Sequence, residues 1–345
     1  MKPSNASPGK NWGFHGLSRS KRLEEVTISV NGFLDIQDIR RLEHYENAPN
    51  ALFCLKGGRL ANSPARTTQS GLVSIITVVR NGFRTLSRTI DSIKAQSYPH
   101  IEYIVVDGDS TDGTLELLRQ RETDIDLWIS EPDHGISDAF NKGIALSSGE
   151  FVALVNADDW LEPAHISGSV QCLTRFRADF SFGNLVIHDD SGSALYSLSG
   201  DAHYTHRLRH SMPAINHPTM VCRRTLYVRN GLYDVHYRIA MDYEWLLRNH
   251  FHGAVGKYAP YLTGHMATAG VSHRNIRQSL LEVREASVSF GYPATWAFLR
   301  YHVRLLRAHA RVLMERWLPH AFVDALRHFL NKSYCGGPFD SSTSI

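Results

Sequence analysis

The chain has 345 residues, 43% of them hydrophobic, with 37 Lys and Arg against 34 Asp and Glu. That length suits one sizeable domain plus additions, and a positive excess of three is too small to point to a nucleic-acid partner. No run nears the roughly 20 apolar residues that span a bilayer. Four scattered cysteines (Cys54, Cys172, Cys222, Cys335), without C-x-x-C or metal-ligand spacing, fit reduced thiols in a cytoplasmic protein. The N-terminus has no apolar segment of the secretory type.

Residues 1 to about 22 are polar and basic and have the composition of disordered chain. Residues 23–60 carry some periodic apolar positions, including Val26, Ile28, Phe33 and Leu34, that suit a small strand-helix appendage. Asn62 to Gly71 reads as a linker, so residues 1–71 form an N-terminal extension. From Leu72 strands and helices alternate. Val73–Val79 is rich in β-branched residues and closes on the turn Arg80-Asn81-Gly82. Leu86, Ile90 and Ile93 fall at helical spacing before Pro99. Ile101–Val106 is a second strand, Thr114–Arg121 a helix, Leu127–Ile129 a short third strand, Ile136–Leu146 a helix and Phe151–Val155 a fourth strand. Such alternation implies a Rossmann-like α/β fold, a mostly parallel sheet flanked by helices.

The fourth strand ends in Asn156-Ala-Asp-Asp159. Open α/β sheets place their ligands at carboxyl ends of strands, and adjacent acids raise each other's pKa unless a cation compensates. A divalent ion (Mn²⁺ or Mg²⁺) carrying a phosphorylated substrate would supply one. The other reading of Asp158-Asp159 is a turn or helix N-cap. Asp107, at the end of the second strand, can accept hydrogen bonds from a nucleotide, or it and Ser110, Thr111 and Asp112 cap the next helix. Neither G-x-G-x-x-G nor G-x-x-x-x-G-K-[ST] is present, which argues against a dinucleotide-binding dehydrogenase and a P-loop NTPase.

In order, Val73-Ser-Ile-Ile-Thr-Val-Val-Arg-Asn81, Val105-Val-Asp-Gly-Asp-Ser-Thr-Asp-Gly-Thr114, Glu131-Pro-Asp-His-Gly-Ile-Ser-Asp-Ala-Phe-Asn-Lys-Gly143 and Asn156-Ala-Asp-Asp159 resemble the family 2 glycosyltransferases, particularly bacterial enzymes that build exopolysaccharides and O-antigens. The resemblance covers roughly residues 72–275. It implies a GT-A fold, a nucleotide-sugar donor, a divalent metal and inversion at the anomeric carbon. It assigns Asp107 to the nucleobase and Asp158 to the metal, and puts Asn81, Asp109, Asp133, Lys142 and Asn156 on the donor side. Asn156 stands where the family's Asp-x-Asp motif has its first acid, and an amide brings no charge. Gly108-Asp109 reverses the commoner Asp-Gly order. Asp133 and Lys142 flank the donor wall or form a surface salt bridge.

In the second half, His217-Pro-Thr-Met-Val-Cys222 is strand-like. Ile239-Ala-Met-Asp-Tyr-Glu-Trp-Leu-Leu-Arg248 resembles the family's helix that carries the general base, which assigns that role to Asp242, with Glu244 as the fallback and a helix N-cap as the plain alternative. His265 stands where some members place a further metal ligand, with His273 as its rival and a structural role as the plain alternative for either. His217 touches a substrate or is a core residue.

Residues 276–345 form a helical C-terminal extension. Trp296, Leu299, Val303, Leu306, Ala310, Leu313 and Trp317 make one apolar stripe, with Arg300, Arg304, Arg307 and Arg311 beside it. Such a helix packs on the domain or on a second subunit, or it lies on the inner membrane leaflet. The expected protein is a cytoplasmic, metal-dependent, inverting transferase whose acceptor is a glycan or a lipid-linked saccharide. The alternatives are a sugar-phosphate nucleotidyltransferase, for which Arg80-Asn81-Gly82 is a poor triphosphate loop, and a catalytically silent nucleotide-sugar-binding protein, hinted at by Asn156.

Overall fold

The computed structural model describes residues 55–61, 68–189, 191–267 and 275–317, with side chains through 310. The first half contains β1 (Leu55–Gly57), β2 (Gln69–Val79), α1 (Leu86–Lys94), β3 (Ile101–Asp107), α2 (Thr114–Gln120), β4 (Leu127–Ser130), α3 (Ile136–Leu146) and β5 (Gly149–Asn156). There follow β6 (Trp160–Leu161), α4 (His165–Phe176), β7 (Phe180–His188), β8 (Ala194–Leu198), α5 (Thr205–Leu208), β9 (Val221–Arg223), α6 (Thr225–Asn230), α7 (Met241–Phe251), β10 (Gly256–Ala267), α8 (Ile276–Ser289) and α9 (Ala294–Trp317).

The strands form one sheet in the order β1-β4-β3-β2-β5-β9-β7-β10-β6, with β8 paired to β7. Its centre, β4-β3-β2-β5, is wholly parallel, while β9 runs antiparallel between β5 and β7. Register sets the site. Val79 is opposite Asp107, Asp107 is opposite Ser130, and Val78 is opposite Asn156, so the carboxyl ends of these four strands lie level along one edge.

Side-chain alternation along β2 divides the core. Val73, Ile75 and Val79 pack with Leu86, Ile90 and Ile93 of α1, whereas Ile76 and Val78 pack with Ala139, Phe140 and Ile144 of α3. Each such fully buried aliphatic side chain contributes about 1.5–3 kcal/mol of transfer free energy. Contact with α3 is close enough to exclude a side chain at one position: a Cβ on Gly143 would lie 2.3 Å from Ile76 Cγ2.

Several boundaries differ from those the sequence suggests. Gln69–Gly71, expected in the linker, belongs to β2, and Leu55–Gly57 pairs with β4, so the sheet begins before residue 72. His217–Thr219 is a 3-10 turn and only Val221–Arg223 is strand, because Pro218 cannot donate a ladder hydrogen bond. α8 packs on the domain, with its own Glu282 and Ala286 buried. Among the described side chains of α9, Ala297 and Tyr301 are buried, and the stripe residues Trp296, Leu299, Val303 and Leu306 face outward. The expectations for residues 1–54, for His273, and for the chain beyond 317 lie outside the described residues.

Candidate active site

The loop after β2 is laced to the acid-rich turn after β3. Asn81 is in the left-handed region (φ 54°), which Asn tolerates better than most residues. Its N–H donates to Ser110 Oγ (2.7 Å), and its Oδ1 accepts from Thr111 N–H (2.9 Å). Asp112 accepts from the N–H groups of Phe83 and Thr114. Asp107 is fully buried and accepts from Ser130 Oγ (2.7 Å), the Ser110 N–H (3.1 Å) and the Ser110 hydroxyl. Asp109, also at positive φ (59°), sits at the tip of this turn. The turn therefore both caps α2 and fixes Asn81, which faces a large cavity of about 1380 Å³.

Asn156, Asp158 and Asp159 line the same cavity. Asn156 Nδ2 donates to Asp159 Oδ2 at 2.9 Å, while the buried Asp159 Oδ1 has no hydrogen-bond partner. Burial pushes the Asp159 carboxyl well above its usual range, and the charge of Asp158 adds to the effect. Asp158 is raised too, again chiefly by burial, with Arg88 pulling it back. Arg88 stacks on Trp160 at 3.7 Å and donates to the Asp158 carbonyl at 3.3 Å. Two adjacent acids held above their normal pKa, one with an orphaned oxygen, are a donor set that suits a divalent cation completed by phosphate oxygens and water.

His265 is placed differently. Its Nε2 meets Glu162 Oε1 at 2.7 Å, its Nδ1 meets His188 Nε2 at 3.0 Å, and its ring stacks on Trp160. Both ring nitrogens are thus engaged, and among the described residues no three His, Cys, Asp or Glu side chains converge on a metal-sized point. Lys142 is also committed: its ammonium is 2.8 Å from Glu131, 3.7 Å from Asp138 and 2.8 Å from the Pro132 carbonyl. It braces the turn that presents Asp133, which does reach the cavity.

His217 and Asp242 line the same cavity. Asp242 is in the first turn of α7, whose N-cap is Ala240, so the carboxyl is not the cap. Burial raises its pKa, with His217 and the Tyr243 N–H opposing the shift and Glu282 reinforcing it. Burial lowers the His217 pKa, against the pull of Asp242, and His217 Nε2 lies 3.2 Å from the Tyr233 hydroxyl. Glu244, the fallback base, is removed from contention: it is buried in a two-point pair with Arg248, at 2.9 and 2.8 Å, and does not line the cavity.

The structure therefore gathers Asn81, Asp133, Asn156, Asp158 and Asp242 around one cavity, while Asp107, Asp109, Lys142 and His265 are not among its lining residues. Glu282 is a residue the sequence reading missed. Its carboxylate accepts from the N–H groups of Arg238 (3.2 Å), Ile239 (2.8 Å) and Ala240 (2.8 Å), fixing the chain just before Asp242. Its only sequence signal is an acid among the apolar positions of an amphipathic helix. The sequence showed Arg300, Arg304 and Arg307 as a stripe but not where they point: with Arg207 and Arg238 they line the cavity.

A family model described as glycosyl transferase family 2 matches residues 74–235. An uncharacterized glycosyltransferase of Mycobacterium tuberculosis (strain CDC 1551 / Oshkosh) is 31% identical over 194 residues, covering 52% of this chain and 70% of that relative. The chain belongs to glycosyltransferase family 2. This family 2 glycosyltransferase is also 31% identical over 132 residues to the putative teichuronic acid biosynthesis glycosyltransferase TuaG of Bacillus subtilis, a match covering 37% of this chain and 52% of TuaG. A match of the same identity to glycosyltransferase GlyA of Streptococcus pneumoniae covers 38% of this chain but only 19% of GlyA. Among solved structures, S. aureus TarS 1–349 aligns with a TM-score of 0.51 at 14% identity, over 72% of this chain and 76% of that one. That likeness shows the shared GT-A type of fold, with a mostly parallel central sheet.

Proposed function

We propose that this glycosyltransferase moves a sugar from a nucleotide-sugar donor to a hydroxyl of a glycan or lipid-linked saccharide, with inversion at the anomeric carbon. The observation that supports this reading is that two chemistries line one cavity: the Asn156–Asp159 edge, and Asp242 with His217. The donor lies along the carboxyl ends of β2 and β5, against Asn81 and Asp133. Asp107 acts there by holding the turn that shapes the base site. Asp158, with Asp159 behind it, would hold a divalent ion such as Mn²⁺ or Mg²⁺, whose chemistry is to offset the charge of the departing diphosphate.

Asp242 takes the proton from the acceptor hydroxyl. The acceptor oxygen forms its bond to the anomeric carbon from the opposite face as the carbon–oxygen bond to the diphosphate breaks. The nucleoside diphosphate leaves with the electron pair. A carboxyl raised by burial is a stronger base once ionised, and nearby His217 favours the ionised form. One displacement by one base gives inversion, and no enzyme nucleophile is required. The free buried thiols Cys172 and Cys222 support a cytoplasmic setting. Among the described residues no helix is long and apolar enough to cross a membrane.

The test is transfer of labelled sugar to membrane-extracted acceptor, followed by proton NMR of the new linkage. The reading predicts an anomeric configuration opposite to that of the donor. The donor's own configuration in the product would overturn it.

A further inference from the structure

The outward stripe of α9 has no cover among the described residues, although its members are large: Trp296 is 58%, Leu299 50%, Val303 38% and Leu306 69% exposed. The helix carries five arginines and one glutamate. At 3.6 residues per turn, Arg300, Arg304 and Arg307 fall between this stripe and the buried Ala297–Tyr301 face. These three arginines also line the cavity. Arg300 and Arg307 have no carboxylate within salt-bridge distance among the described residues.

From this arrangement we infer that α9 docks on an anionic lipid surface through the Trp296–Leu306 stripe, bringing the mouth of the cavity against that surface. Apolar side chains would enter the acyl boundary while the flanking arginines reach lipid phosphates, the pattern by which interfacial helices bind. Two alternative occupants are disfavoured by charge. A second copy of the chain would set one arginine row against another. Residues 1–54 and 318–345 carry no acidic excess to complement the arginines: they hold seven Lys and Arg against six Asp and Glu, and two against two. The consequence for the acceptor, that it is presented at the membrane, rests on the transferase reading above, whereas lipid docking does not.

The experiment is flotation of the full chain with vesicles of phosphatidylcholine alone or mixed with phosphatidylglycerol, with light scattering in the absence of vesicles. Binding to the mixed vesicles, at least tenfold above the neutral ones, is expected. Leu299→Glu with Leu306→Glu should cut it at least tenfold, and Arg307→Glu several-fold. Trp296→Ser with Val303→Ser provides an independent pair should the first fail to fold. Equal, weak flotation on both vesicles would overturn the inference, as would double variants that float like the wild type. A dimer that these variants dissolve would assign the stripe to a second copy instead. Donor hydrolysis without acceptor, read in parallel, reports on the transferase reading separately.

Discussion

Asn156 Nδ2 donates to Asp159 Oδ2 at 2.9 Å, so the amide at the first position of the Asp-x-Asp pattern orders the neighbouring acid without adding charge. Three carboxylates at this edge would repel one another, whereas an amide and two acids leave the edge short by one cation. Burial holds Asp158 and Asp159 above their ordinary value of 3.8.

A group whose folded pKa is raised favours folding below its unfolded pKa, and that contribution is lost as pH rises through the folded value. The protein without metal should therefore lose stability as pH rises from about 4, the unfolded Asp value. A divalent ion competes with those protons. Mn²⁺ should raise Tm more at pH 7.5 than at pH 5, and Asp158→Asn should remove most of that gain, as thermal melts with and without EDTA would show. Asn156→Asp should lower Tm without metal and widen the Mn²⁺ increment. A metal increment independent of pH would contradict this account of the pair.

Glu244 and Asp242 are two residues apart and should respond oppositely to mutation. Asp242→Asn should lower kcat by on the order of 10²–10⁴-fold, with donor affinity little changed. Glu244→Gln breaks the pair with Arg248, whose partners are 7% and 15% exposed, so stability should fall by about 3 kcal/mol. Its kcat per folded molecule should stay within a few-fold of wild type. Urea unfolding beside a transfer assay separates the two effects.

The acid limb of the rate profile should follow the ionisation of Asp242, above the usual carboxylate range because burial raises it. His217 lowers that pKa and Glu282 raises it. Accordingly His217→Asn should move the limb to higher pH and Glu282→Gln to lower pH, in kcat/KM profiles. Shifts in the same direction for both variants would rule out Asp242 as the titrating group.

Much of the fold was legible because the parallel strands are buried on both faces and read as largely apolar runs, unbroken in Phe151–Val155. Motifs pointed to Asp158, just past a strand end, and Asp242, at a helix start, and both line the cavity. Local sequence could not show how side chains are spent. Lys142 and Glu244 sit at plausible positions, yet each is used up by an ion pair that depends on packing. His265 has both ring nitrogens occupied by residues distant in the chain, Glu162 and His188. The arginines of α9 formed a visible stripe, but its direction toward the cavity depends on how α8 sets the helix, which periodicity alone does not encode.

The most direct test of the central claim is nucleoside diphosphate release from a panel of nucleotide sugars, with Mn²⁺ or Mg²⁺ and with EDTA, for the wild type and Asp158→Ala. The account predicts slow hydrolysis of one donor, stopped by EDTA and abolished in the variant. Release that is indifferent to both EDTA and Asp158→Ala, or no binding of any nucleotide sugar by calorimetry, would contradict it.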